Sequence, residues 1–316
     1  MAKPLRVLVT GGAGFIGSHL VDRLLAEGLE VIVLDNFLTG SLENISLHMK
    51  DKKFHLIRGD LRNPEHVKRA VSNVDTVFHK AAISDARESD LNLINEVNVT
   101  GTLVLLNSCM DAGVEHFIFA SSAAVYGEIN VAREDVRPEP ISAYGASKIS
   151  AETYVKVFSH LYGLKAVSLR IFNVYGSRQR FDARYSAVIT SFINRLMGNS
   201  PPIIYGGGKQ TRDFIHVKDV VDADMLTLHY DKGRGEVFNI ASGKSISVNH
   251  LAKVLQRIMN KEHLTPVYAA PITGDIKHCK ADIQKSRNIL RFKSKVKLED
   301  GLQKLIDEYK IRKKAC

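Results

Sequence analysis

Thr10-Gly11-Gly12-Ala13-Gly14-Phe15-Ile16-Gly17 follows the apolar run Leu5 to Val9 and opens the amphipathic stretch Ile16 to Ala26. Together these read as strand, tight turn and helix. The glycines satisfy G-x-x-G-x-x-G and, from Gly12, G-x-G-x-x-G. Without a Cβ, Gly11 and Gly14 let the backbone approach a pyrophosphate, and Gly17 lets helix and strand pack closely. The helix N-terminus then turns its unpaired N–H groups on the anion. Such a turn also occurs without a ligand, and the residue that discriminates is acidic. Asp35 stands 21 positions past Gly14, at the end of the second strand. Its carboxylate is placed to accept both ribose hydroxyls of adenosine and to repel a 2′-phosphate. No Arg occurs in Asn36-Phe37-Leu38-Thr39-Gly40, so the expected dinucleotide is NAD rather than NADP. Asp60, closing the third strand, is read either as a partner of the adenine amino group or as a helix N-cap before Arg62.

Outward from this motif, short β-branched runs alternate with helix-length amphipathic stretches, the pattern of a parallel sheet with crossover helices. The expected strands are Leu5 to Val9, Val31 to Leu34, Phe54 to Ile57, Thr76 to Phe78, Phe117 to Phe119 and Ala166 to Leu169. The expected helices are Ile16 to Ala26, Pro64 to Val71, Leu91 to Asp111 and Tyr144 to Leu161. This is an α/β class chain with a doubly wound parallel sheet, a Rossmann arrangement. From Ile171 the rhythm loosens. There follow an apolar piece Phe214 to Val217, a helix from Val220, a strand Glu236 to Ile240, and helices near Val248 to Met259 and Leu298 to Tyr309. The division expected is a dinucleotide domain, 1–170 plus about 213–243, and a smaller α/β substrate lobe, about 171–212 plus 244–316.

Composition sets the outer limits. The 316 residues carry 45% hydrophobic content, which excludes a disordered or fibrous chain and leaves room for a core that needs no staples. Cys109, Cys279 and Cys316 are odd in number, widely spaced and form no C-x-x-C pair. A disulfide framework and a metal cluster are therefore not expected, and a reducing, cytoplasmic setting is. No run approaches the roughly 18 apolar residues of a spanning helix. The net charge of +10 invites a nucleic-acid reading. The clusters at Lys293, Lys295, Lys297 and in the tail Lys310, Arg312, Lys313, Lys314 lack interleaved aromatics and any recognisable finger or helix-turn-helix spacing. A solvated basic surface that attracts small anions is the reading kept.

Tyr144-Gly145-Ala146-Ser147-Lys148 is a Y-x-x-x-K. With ten Tyr and 25 Lys in the chain, nearly one such match is expected by chance, and three occur. Tyr205 to Lys209 straddles three glycines and Tyr309 to Lys313 lies in the basic tail, so only Tyr144 opens a credible helix. There the i,i+4 spacing puts ammonium and phenol on one face. A phenol of pKa about 10 must fall by roughly three units to serve as a base at neutral pH. One cation at about 4–5 Å supplies roughly that much at an effective dielectric of about 20. Lys148 is therefore expected to lower Tyr144, and an oxidised nicotinamide ring adds a second positive charge in the same direction. Hydroxyls for a third partner stand at the end of the fifth strand, Ser121 and Ser122, at the sheet edge where α/β proteins bind ligands.

At this point the chain resembles the extended short-chain dehydrogenase/reductase family, most closely its nucleotide-sugar branch typified by UDP-glucose 4-epimerase. The likeness covers nearly the whole chain: the T-G-G-A-G-F-I-G turn, Asp35-Asn36, Gly59-Asp60-Leu61, His79-Lys80-Ala81-Ala82, Asn98-Val99-Thr100-Gly101-Thr102, S-S-A-A-V-Y-G from Ser121, Y-G-A-S-K, L-R-I-F-N-V-Y-G from Leu169, T-R-D-F-I-H-V from Thr211, N-I-A-S-G from Asn239 and Gly274-Asp275. The resemblance implies NAD held by Gly11, Gly14, Phe15, Ile16, Gly17, Asp35, Asn36, Asp60, Leu61, Ala81, Ala82, Asn98, Ser121, Tyr144, Lys148 and Val174. It implies a UDP-sugar met by Ser84, Ser122, Tyr144, Asn173, Arg180, Tyr205, Arg212, Asp275 and Cys279, with Asn173 and Arg212 on the diphosphate. In that scheme Tyr144 takes the proton of the sugar 4-hydroxyl, Ser122 hydrogen-bonds the same oxygen and Lys148 holds the nicotinamide ribose. A 4-keto sugar turns over in the site and is reduced on its other face. A homodimer through the helices Leu91 to Asp111 and Tyr144 to Leu161 is implied as well.

Within the branch, 4,6-dehydratases carry an acidic pair straight after the catalytic Ser or Thr, and decarboxylating relatives carry Glu one position later. This chain has Ala123 and Ala124, so plain epimerisation at C4 is expected. Arg180 in the R-Q-R run resembles uronate epimerases, several of which carry Thr where Asn173 stands. An NADPH-consuming reductase is disfavoured by Asp35. A silent NAD-binding regulator would leave Tyr144, Lys148 and Ser122 without a purpose. Three departures stand out. Ile272 occupies the place of a family arginine that grips the diphosphate, Lys80 replaces a usually apolar residue, and the small Cys279 sits at a gatekeeper position where bulk resembles a block on N-acetyl sugars. Both plain and N-acetylated hexoses are therefore expected as substrates.

Overall fold

The computed structural model describes residues 5–84, 90–180, 187–228, 230, 232–271, 276–278 and 280–315, with side chains to 311. Seven strands form one all-parallel sheet: β1 (Arg6–Thr10), β2 (Glu30–Asp35), β3 (Phe54–Arg58), β4 (Thr76–His79), β5 (His116–Ser122), β6 (Lys165–Ile171) and β7 (Glu236–Ile240). Their order across the sheet is β7-β6-β5-β4-β1-β2-β3. The chain reverses direction across the sheet between β1 and β4, and the carboxyl ends of those two strands open the crevice in which such folds bind ligands.

Both faces of the sheet are buried, which is why the strands read as near-continuous apolar runs. Val7, Val9, Val31, Val33 and Phe78 pack on one side with the helices Phe15–Ala26 and Val217–Leu228. Leu8, Ile32, Leu34, Phe117 and Phe119 pack on the other with Pro64–Val71, Gly101–Ala112 and Ala143–Tyr162. A third core joins Tyr175, Phe192, Leu251, Leu255, Leu302 and Ile306. Over it lies a small sheet of Asn173–Tyr175, Thr211–His216 and Ser245–Ser247.

Most expected elements fall within a residue or two of the observed ones; the fifth strand runs on to Ser122 and the last helix to Ala315, three and six residues past the expected ends, and two further corrections apply. Phe214 to Val217 is not a separate piece: Thr211–His216 is a strand, and Val217 already opens the following helix. The stretch expected as one helix from Leu91 to Asp111 is broken into Leu91–Asn95, a π-helical segment Glu96–Thr100, and Gly101–Ala112. A helical period read over the whole stretch does not mark such a widened turn, because the chain stays helical on both sides and the offset is a single residue. Among the described residues no helix is long and apolar enough to cross a membrane. No group of three or more potential metal ligands occurs there either.

Candidate active site

A cleft of about 440 Å³ runs along the carboxyl edge of the sheet from Asp35 and Asp60 to Tyr144 and Arg212. Its floor is the glycine turn. Gly11 has φ +67°, and a Cβ added there would lie 2.7 Å from the Ala81 backbone. One added at Gly17 would lie 2.1 Å from the Gly11 carbonyl oxygen. The turn thus reaches a closeness that only glycine permits. Gly14 precedes the helix Phe15–Ala26, and no side chain caps its first N–H groups. That leaves a cradle fitted to a pyrophosphate.

Asp35 is buried beside this turn, its Oδ2 accepting from the Ala13 N–H at 2.9 Å and its Oδ1 from the Phe37 N–H at 2.8 Å. Burial raises its pKa against the pull of those two bonds. Asp60 is an Asx turn rather than an N-cap. Its Oδ1 accepts from the Arg62 backbone, its Oδ2 from Arg62 Nη2 and from Asn36 Nδ2, both at 2.9 Å. The Arg62 guanidinium holds this carboxyl well below the usual range. The helix cap expected of Asp60 falls to Asn63, whose side chain accepts from Glu65 and His66.

The reacting end is made of side chains. Ser142 caps the helix Ala143–Tyr162 by accepting from the Gly145 N–H, and this fixes the turn that carries Tyr144. The Tyr144 phenol is hydrogen-bonded to the Ser122 hydroxyl, which also accepts from the Ala124 N–H at 3.1 Å. The two candidate serines are thereby told apart. Ser121 lines the cleft but donates its hydroxyl to Glu152 at 2.7 Å, within a buried pair of Glu152 and Arg170. Lys148 Nζ donates to the Ala120 carbonyl at 2.8 Å and lies 5.8 Å from the centre of the Tyr144 ring.

The expected lowering of Tyr144 by Lys148 is corrected. Burial raises the phenol, and the bond to Ser122 offsets part of that rise. Lys148 itself is lowered to about 7, by burial first and by the Lys80 charge second. An ammonium so desolvated is half discharged near neutral pH and cannot act as the full point charge that spacing alone suggested.

Most of the expected contacts line the cleft: Gly11, Gly14, Phe15, Ile16, Gly17, Asp35, Asn36, Asp60, Leu61, Ala81, Ala82, Ser84, Ser121, Ser122, Tyr144, Lys148, Asn173, Val174 and Arg212. Three do not. Asn98 is buried behind the wall, where its Oδ1 accepts from the Ile83 N–H and its Nδ2 donates to the Ile83 carbonyl and to Ser147 Oγ. It pins the Ala81 to Ser84 segment to the helix of Tyr144 and positions the site without facing it. Arg180 is exposed and off the cleft, and Tyr205 ends the strand Ile203–Tyr205 on the outer surface. Asp275 and Cys279, with Ile272, lie outside the described residues. The cleft also takes in Lys80, Phe172, Gln179 and Ile276, which the sequence reading did not place there. Gln179 is the middle residue of the R-Q-R run, which draws the eye only to its arginine, and in sequence Lys80 stands out only as a departure from the family.

Residues 7–241 match the NAD dependent epimerase/dehydratase family. The chain is 36% identical to a UDP-glucose 4-epimerase from Thermotoga maritima solved with UDP-glucose, with a TM-score of 0.91 over 98% of this chain and 99% of that one. It is 35% identical to a UDP-N-acetylglucosamine 4-epimerase from Methanobrevibacter ruminantium solved with UDP-N-acetylmuramic acid, with a TM-score of 0.93 over 98% and 100%. It is also 34% identical over 320 residues to UDP-glucuronic acid decarboxylase 4 of Arabidopsis thaliana, covering 98% of this chain and 70% of the relative. A glycine cradle, an acidic residue closing β2 and a Tyr–Lys helix facing them are what this match leads one to expect, and the chain belongs to the NAD-dependent epimerase/dehydratase family of extended short-chain dehydrogenases/reductases.

Proposed function

We propose that the protein is an NAD-retaining nucleotide-sugar 4-epimerase acting on UDP-hexoses. The observation that carries this reading is the hydrogen-bonded pair Tyr144 and Ser122 with Ala123 and Ala124 directly behind it on the same wall. Bound NAD supplies hydride transfer at the sugar C4. Tyr144 takes the proton from the 4-hydroxyl and returns it after the 4-keto sugar has turned. Ser122 holds the same oxygen, and its bond from the Ala124 N–H keeps the hydroxyl pointed at Tyr144. Arg212 and Asn173 meet the diphosphate, for which a guanidinium is suited by its paired donors.

Dehydration or decarboxylation needs a second proton-transferring group near C5 or C6, and an alanine side chain moves no proton. A uronate substrate needs a cation for its carboxylate, and Arg180, the residue that suggested one, does not line the cleft. N-acetylated hexoses enter the reading through the small Cys279. Cys279→Tyr is expected to abolish their turnover while sparing plain hexoses, as followed by NMR of the products.

A second copy is expected on the helix Ala143–Tyr162, where Tyr154, Val157, Leu161 and Tyr162 form an exposed apolar stripe at helical spacing. The test of the function is incubation of the purified protein with UDP-glucose, UDP-galactose, UDP-N-acetylglucosamine and UDP-glucuronate without added cofactor. The expected result is the 4-epimer of a UDP-hexose. Release of carbon dioxide or water, or no product from any of the four, overturns the reading.

A further inference from the structure

His79 closes β4 opposite Thr10, the last residue of β1 before the glycine turn. It is 1% exposed, its ring lies against Phe117 and Phe119, and the proposed chemistry makes no use of it. Its Nδ1 is 2.7 Å from Thr10 Oγ1 and its Nε2 is 2.9 Å from Thr102 Oγ1. Followed outward, these contacts belong to one train of hydrogen bonds. The Ala81 N–H donates to Thr10 Oγ1 at 3.3 Å. Thr102 Oγ1 donates to the Asn98 carbonyl at 2.6 Å. The Asn98 amide donates to Ser147 Oγ at 2.9 Å, and Ser147 Oγ donates to the Tyr144 carbonyl at 2.8 Å. Thr10, Asn98, Thr102 and Ser147 are buried. One end of the train thus adjoins the dinucleotide cradle, and the other holds the backbone of the residue that carries the phenol.

The direction of the train is fixed by counting hydrogens. A threonine hydroxyl has one to donate. Thr102 gives it to Asn98 and so accepts from His79, which places the ring proton on Nε2. Nδ1 is then an acceptor for the Thr10 hydrogen, and Thr10 keeps a lone pair for the Ala81 N–H. Burial holds the ring's pKa well below the ordinary value, as this neutral form requires. Reversing any one link sets two donors or two acceptors face to face in the interior, where an unpaired polar group is costly. The imidazole is the stiffest member, since no rotatable bond lies between its donor and its acceptor.

We infer that His79, with its proton on Nε2, is a positioning residue for the reaction: the joint that fixes the turn of Tyr144 relative to the glycine cradle of the dinucleotide. The inference rests on the reading of Tyr144 as the group that moves the proton. In that reading the 4-hydroxyl proton goes to Tyr144 and the C4 hydride to NAD, so phenol and cofactor must be set against each other as well as against the sugar. A misplacement of about 1 Å at such a site costs about 10²-fold in rate. Asn98 by itself ties the helix of Tyr144 only to the Ile83 backbone. Through Thr102 and His79 the same asparagine is tied to β1, directly beneath the cradle.

The test uses the full chain with its bound cofactor. Nitrogen NMR of the histidine rings, with His79 assigned by His79→Gln, is expected to show a neutral ring protonated on Nε2 at neutral pH. A ring protonated on Nδ1, or a charged one, overturns the inference. Thr102→Val cuts the train beside His79, and Ser147→Ala cuts it beside Tyr144. Each is expected to lower kcat for UDP-glucose by about 10–10²-fold while KM and NAD content hold. Each is also expected to move the isotopically labelled Cζ resonance of Tyr144, which reports the hydrogen bonding of its phenol. Thr102→Ser, which returns the hydroxyl, restores both. Because the two cuts fall in one network, the double variant is expected to lose no more than the worse single one. A merely structural role lowers the melting temperature but leaves the rate and the resonance of the folded enzyme in place. That result, or additive losses, overturns the inference. Ser147→Ala removes a single hydroxyl and decides the question alone if Thr102→Val does not fold. Absence of any epimer in the product assay defeats the epimerase reading, whereas the ring tautomer and the Tyr144 resonance, read without turnover, still decide this one.

Discussion

The adenosine end and the reacting end of the same cleft are built from different materials. At the first, backbone does the work. The Gly11 to Gly17 turn, the uncapped start of a helix and the two N–H groups that hold Asp35 all lie within a few residues of one another or on adjacent strands. At the second, the elements are side chains brought from far apart: Ser122 to Tyr144, Ser121 to Glu152, and Lys80 to Asp224 across 144 positions. A backbone cradle tolerates change in everything except the absence of a Cβ, whereas a side-chain assembly is lost when any one member is removed.

Substitutions at the two ends test that contrast. Tyr144→Phe removes the group that moves the proton and is expected to lower kcat by about 10²–10⁴-fold. NAD content and calorimetric binding of a UDP-hexose should stay as in the wild type. Loss of binding along with rate would mean that the two ends are not separable. Arg170→Met strands the Glu152 carboxylate in the interior, and a cost of about 3–5 kcal/mol in denaturant unfolding is expected. At the other end, Gly17→Ala drives a methyl group onto the Gly11 carbonyl. A loss of roughly 3 kcal/mol with release of NAD is expected, and Ser18, one residue on, should not reproduce the release when changed to Ala.

The smallest effect concerns pH. Lys148 titrates near 7 in the folded chain and near 10.5 unfolded. The unfolded state therefore binds the extra proton between those values, and stability rises with pH across that window. Below 7 the cost of burying the charge is present in full. Relative to Lys148→Met, the wild type should gain on the order of 2 kcal/mol from pH 7 to pH 9. A flat difference would place Lys148 outside the wall of the site.

The contrast also decides what could be read from the residues in order. The fold was legible because each strand of the sheet buries both faces and each crossover helix keeps its own period. Asp35, Gly14 and Gly17 were legible because their roles are local. The Tyr144 and Lys148 pair was found at the right spacing, but its electrostatics were misjudged. Desolvation depends on what surrounds the helix, and Ala120, Phe119 and Lys80 arrive from other strands. The difference between Ser121 and Ser122 was hidden for the same reason, since Glu152 lies 31 positions away. Lys80 looked like an anomaly because its partner had no local signal.

The wide turn Glu96–Thr100 has a consequence of its own. It holds one more residue than an α-helical turn, so the residues after it stand about 100° out of phase with those before it. Asn98 can clasp Ile83 and Ser147 while Leu105, Leu106 and Cys109 still meet the core only because of that offset. Deleting a single residue there would give a more regular helix whose two halves could no longer both be seated, so the irregularity is what lets one rod serve the cleft at one end and the interior at the other.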